Sequence, residues 1–117
     1  MKLLYDEEGD VLDVIFRDEV HGLADAGYEL RLGIVIHVTK NFSPVQLTLV
    51  NFRRLAQLPA IHFNAFKKQP AGLRNKLMRL IASPPLSSFL RIDANTFYGR
   101  VMNPAILDIC AESNRLD

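Results

Sequence analysis

The stretch YDEEGDVLDVIF, residues 5–16, sets five carboxylates, Asp6, Glu7, Glu8, Asp10 and Asp13, around one glycine before an apolar run. Oxygen ligands spaced along a glycine-containing loop suit a calcium ion, and Asp6, Glu8 and Asp10 alternate in that way. The helix-loop-helix frame and the bidentate glutamate at the loop's twelfth position are missing, so the pattern points to a solvated hairpin turn in which Asp bonds nearby backbone. His21, His37 and His62 have no H-x-x-x-H spacing and no cysteine partner, which disfavours zinc. By strand alternation His37 shares a face with Val35 and Thr39, and with Asp13 or Thr48 nearby it could do acid–base work. No nucleophile or oxyanion motif accompanies it, so a half-exposed strand residue is the plainer reading and an enzyme centred on His37 the remote one. None of the six glycines forms G-x-x-x-x-G-K or G-x-G-x-x-G, which disfavours a phosphate-cradling loop. No catalytic residue, metal or cofactor is assigned.

Charge is divided along the chain. Residues 1–29 hold nine acids against two bases, and residues 30–92 hold ten bases and no acid. Arg53, Arg54, Lys67, Lys68, Arg74, Lys76 and Arg79 lie in or beside expected helices, and this 53–79 region is the candidate nucleic-acid surface. Aromatic residues are not interleaved with these bases as in single-strand binders. The alternatives are a protein partner, self-association, or acidic and basic elements folded side by side.

These side chains need elements to hold them. At 117 residues, 49% apolar and 23% charged, the chain suits a single globular domain, 1–117. No apolar run is long enough to span a bilayer, the N-terminus meets acid too early for a secretory signal, and Cys110 is the only cysteine. A reduced, buried thiol in a cytoplasmic protein that does not engage membranes is the expectation.

KLLY and VLDVIF around DEEGD read as a β-hairpin with Gly9 supplying positive φ, and Leu12, Val14 and Phe16 point to the core. YELRLGIVIHVTK reads as a third strand and VQLTLVNF as a fourth, with Val45, Leu47 and Leu49 on one face and Gln46 and Thr48 on the other. RRLAQL begins a short helix ended by Pro59. PAGLRNKLMRLIAS is an amphipathic helix with the stripe Leu73, Leu77, Leu80 and Ile81, stopped by Pro84 and Pro85, and its stripe should cover the sheet. SFLRI and TFYGRVM around DAN suggest a second hairpin, and NPAILDICAES a closing helix.

The run YDEEGDVLDVIF, followed by GIVIHV and VQLTLVNF, resembles the bacterial family called domain of unknown function 2283, best at Tyr5, Asp6, Gly9, Asp10, Val11 and Leu12 over residues 1–52. Gln46 and Thr48 stand where that family usually has glycine and glutamate, so no role passes to them. The resemblance implies a β-meander and a leaning toward a small partner or antitoxin-like module. It leaves residues 53–117 as a helical and β-hairpin extension of unassigned role. The expected fold is α+β: an antiparallel meander sheet of four or more strands with helices packed on one face. The expected function is a non-enzymatic protein-interaction or regulatory module.

Overall fold

The computed structural model describes residues 1–16, 24 and 26–102. Alternating apolar residues build the first sheet: β1 (Lys2–Asp6), β2 (Val11–Ile15), β3 (Ala26–Arg31), β4 (Ile34–Val38) and β5 (Pro44–Val50). All neighbours are antiparallel, in the order β1-β2-β5-β4-β3. The sheet is thus a hairpin set beside a three-strand meander, with β5 against β2.

Two local readings change. The expected third strand is two strands, folded back at Leu32 and Gly33, where Gly33 takes φ of 90° and Leu32 is 84% exposed. The positive φ of the first turn belongs to Asp10, at 53°, and not to Gly9. Leu12, Val14 and Phe16 are buried as expected, as are Val45, Leu47 and Leu49.

The second half adds α1 (Phe52–Gln57), β6 (Ile61–His62), α2 (Asn64–Lys67), α3 (Ala71–Ile81), a 3-10 turn at Leu86–Ser88, β7 (Leu90–Ile92) and β8 (Tyr98–Val101). β6, β8 and β7 form a three-stranded antiparallel sheet. The hairpin around Asp93–Phe97 and the two longer helices fall where the sequence places them. The two-residue β6 and four-residue α2 do not show in periodicity.

One cluster of buried residues joins the halves, from Leu12, Ile36 and Leu47 on the large sheet to Phe63, Phe66, Leu77 and Phe89. Phe16 meets Phe89 edge-on with ring centroids 6.2 Å apart, and Phe66 meets Phe97 at 5.4 Å. Such pairs add roughly 0.5–1.5 kcal/mol to the area they bury. Leu77 and Ile81 turn the stripe of α3 inward into the shared core, where its main neighbours are β7 and the 3-10 turn. Among the described residues no helix is long and apolar enough to cross a membrane. The expected closing helix, with Cys110, lies outside the described residues, as do His21 and Arg17.

Candidate functional site

The opening acids divide into separate structural jobs. Asp6 Oδ1 accepts the Glu8 backbone N–H at 3.1 Å, closing the turn on itself. Glu7 lies 4.0 Å from the Arg53 guanidinium. Asp10 is the joint between the hairpin and α1. Its carboxylate accepts the Tyr5 hydroxyl at 2.7 Å and the Arg53 backbone N–H at 3.0 and 3.2 Å, while its carbonyl accepts the Phe52 N–H at 3.0 Å. Those N–H groups belong to the first turn of α1, which has no side-chain cap of its own at Asn51. Burial, then the bond to the Asp10 carboxylate, raises the Tyr5 phenol above its ordinary value of 10.0. Among the described residues no three His, Cys, Asp or Glu side chains come together in a way that could hold a metal ion.

Asp13 belongs to a different neighbourhood, the outer face of the large sheet. Register sets Leu4, Asp13, Thr48, Val35 and Glu29 in one row across five strands, and Lys2, Ile15, Gln46, His37 and Gly27 in the next. Thr48 Oγ1 donates to Asp13 Oδ1 at 2.7 Å, and Gln46 Nε2 donates to the same oxygen at 3.0 Å and to Thr48 Oγ1 at 3.1 Å. The three close a half-buried ring centred on Asp13 Oδ1. His37 stands one strand further on, beside Gln46, with its imidazole leaning over Gly27: a Cβ there would meet Nδ1 and Cε1 at 3.0 Å. The structure therefore joins Asp13 to Thr48 but gives His37 a different neighbour, and the trio is no relay.

Around that polar ring the outer face is mixed, with Lys2 and Glu29 exposed and His37 half-buried on the same two rows. Leu4 is 42% and Val50 37% exposed, Val11 lies directly opposite Val50, and Val35 is half-buried. No family model matches this chain, and neither do curated proteins or solved structures. Its function has to be argued from its own surfaces.

The seven basic residues of the 53–79 region separate. The Arg53 guanidinium lies 5.3 Å from the centroid of the Tyr5 ring and faces Glu7, which ties it to the acidic hairpin. Arg74 Nη1 donates to the carbonyls of Lys67 and Gln69 at 3.1 and 3.4 Å and covers the Phe97 ring, so it closes the end of α2 onto α3. Arg54 is exposed on α1, and Lys67 and Lys68 are exposed at the end of α2. Lys76 and Arg79 stay together on the outward side of α3, where Lys76 Nζ lies 5.4 Å from the centroid of Phe42.

The fold then supplies cations that the sequence reading did not single out. Lys40, in the β4–β5 turn, lines the same cleft as Lys76 and Arg79. On the other flank of α3, Arg91 and Arg100 lie opposite each other across β7 and β8, beside Asp93. Backbone N–H groups of Thr96 and Asn95 hold the Asp93 carboxyl below its ordinary value. Lys40 is more than thirty residues from Lys76, so no local spacing could reveal their meeting.

Proposed function

We propose that this protein is a non-enzymatic interaction module that binds protein through the outer face of its five-stranded sheet. The observation that carries the reading is the contrast between the two faces. The inner face is sealed by the second half of the chain, whereas the outer one presents Leu4, Val11, Val35 and Val50 around the Asp13–Gln46–Thr48 ring. Exposed apolar side chains set among fixed polar groups occur at protein-binding surfaces, whose overall polarity is close to that of the rest of a protein's surface. Thr48 and Gln46 already donate to Asp13 Oδ1, which lowers the cost of covering that carboxylate. The occupant we favour is a second copy of the chain, since closed two-fold homodimers are the commonest soluble assembly.

Light scattering across a concentration series tests it. The wild type should pass from monomer to dimer, and Leu4→Lys with Val50→Lys should hold the chain monomeric, with a melting temperature close to that of the dilute, monomeric wild type. A wild type that stays monomeric at the highest concentrations, with the double variant indistinguishable from it, removes the reading. Nucleic-acid binding is the second reading, favoured by one observation: the cations gathered about α3 have no carboxylate within ion-pairing distance among the described residues.

A further inference from the structure

We infer that the cleft between the β4–β5 turn and α3 is a binding site for a phosphoryl group. Its volume is about 480 Å³, and Lys40, Asn41, Phe42, Lys76, Arg79, Leu80 and Ser83 line it. Three of those seven side chains are cationic and none is acidic. Lys40 comes from a turn, and Lys76 and Arg79 from one helix at a spacing of three, which brings both onto one side. Like charges gathered without a countercharge repel one another, and an anion between them reverses the sign of each interaction.

The floor of the cleft is built at some conformational cost. Phe42 holds φ of 60°, the left-handed region, which disfavours a bulky side chain by roughly 1–2 kcal/mol. The turn fixes it there: Phe42 N–H donates to the Thr39 carbonyl at 3.0 Å, and Ser43 N–H to Thr39 Oγ1 at 3.2 Å. Its ring then stacks on Tyr28, 16° from parallel and 6.1 Å between centroids, and lies under the Lys76 ammonium. Ring contacts on Tyr28 and Lys76 leave Phe42 a wall of the cleft, not a platform for a nucleobase, so recognition falls on the charged phosphoryl oxygens. Two lysines and an arginine suit them, the arginine by its paired N–H donors.

Two features oppose anion binding and are outweighed. The cleft lies toward the C-terminal end of α3, whose partial negative charge is about half a unit against three full positive ones. The Ser83 hydroxyl already donates to the Arg79 carbonyl at 2.8 Å, leaving the three cations and the Asn41 amide as donors. The cleft on the other flank of α3, about 580 Å³, also has two arginines, but Asp93 lies among its lining residues and supplies a countercharge. The cleft under Lys40 has none, which singles it out.

This inference does not rest on the sheet-face reading. Titration calorimetry of the full chain at about 50 mM salt, with pyrophosphate and separately with a single-stranded DNA of about twelve nucleotides, tests it. Saturable binding is expected, weakened tenfold or more by Lys76→Gln and by Arg79→Gln and less than about twofold by Arg54→Gln, an exposed cation on α1. Comparable affinity for both probes assigns a small phosphate ester as ligand. Much tighter DNA binding that falls steeply from about 50 to 200 mM salt assigns a phosphodiester backbone. No binding of either probe at the lower salt overturns the inference. So does an equal loss from Arg54→Gln and Lys76→Gln, because binding is then spread over the basic surface and not held in the cleft.

Discussion

Strands of the large sheet run five to seven residues, whereas those of the small sheet run two, three and four. The large sheet can be specified by alternation alone, because each strand repeats its inward and outward positions at least twice. β6 and β7 repeat too little for that. Their pairing depends on packing from outside the sheet, by Phe63, Phe66, Phe89 and Phe97, all buried. It depends too on a close backbone approach at Gly99, which pairs with Ile61 on one side and Ile92 on the other. In this molecule long strands carry their own register, and short ones borrow it from aromatic side chains and a glycine.

The largest effect should therefore come from Gly99→Ala. A Cβ at Gly99 would collide with the Arg91 carbonyl, and backbone cannot swing aside as a side chain can. The hairpin must open or shift, withdrawing cover from Phe97 and Val101 at its inner side. We expect a loss of several kcal/mol by chemical denaturation, on the scale of removing a large core side chain. Hydrogen exchange should show amides of β7 and β8 losing protection before those of β2 and β5. Equal loss in both sheets would mean that register in the small sheet is not locally set, and the contrast would fail. Gly27→Ala is the matched control on the large sheet, because its Cβ meets the imidazole of His37, a side chain that can turn away.

The same physical difference decided what could be read from the sequence. Leu12, Val14, Phe16, Val45, Leu47 and Leu49 announce the large sheet's inner face by period two, and Pro70, Pro84 and Pro85 bracket α3. The stretch YELRLGIVIHVTK hid a turn because Leu32–Gly33 lacks the Asn or Asp that usually marks a two-residue hairpin loop. Gly9 drew the positive φ assignment because glycine adopts it freely. Asp10 adopts it because its carboxylate and carbonyl recover hydrogen bonds to Tyr5, Phe52 and Arg53, partners up to forty-three residues away. Arg74 looked like a free cation for a similar reason, since its partner ring, Phe97, comes from the far hairpin. The cleft was invisible because Lys40 and α3 meet only in three dimensions, and the charge asymmetry along the chain was its one trace.

Asp10 links the two regions, which makes Asp10→Ala the intermediate case. It removes the acceptor for the first turn of α1 and for the Tyr5 hydroxyl together. Loss of a helix cap costs about 1 kcal/mol, and the orphaned, half-buried phenol adds a comparable amount, so roughly 1–2 kcal/mol is expected. Relief of the left-handed backbone makes Asp10→Gly less damaging than Asp10→Ala, although both lose the carboxylate. Thermal melts of the two variants check the order. If Asp10→Gly is the worse of the two, the left-handed backbone at Asp10 carries little strain and the freedom that glycine adds to the unfolded chain outweighs its relief.

The smallest effect isolates one bond of that joint through pH. In the folded protein the Tyr5 phenol ionises above its ordinary value because burial, and the neighbouring Asp10 carboxylate, disfavour a second negative charge. Its contribution to stability is thus complete up to about pH 10 and is lost as the pH rises through the folded-state value. Tyr5→Phe keeps the ring against Phe52, 6.1 Å between centroids, and deletes only the hydroxyl. Near neutral pH the variant should lose about 1 kcal/mol or less, because Asp10 keeps the Arg53 backbone N–H. Above about pH 10 the wild type should lose stability more steeply than the variant, and the two denaturation curves should converge. Parallel curves over that range would show that the phenol's proton is not shared with Asp10, leaving the Tyr5–Phe52 ring contact to tie the large sheet to α1.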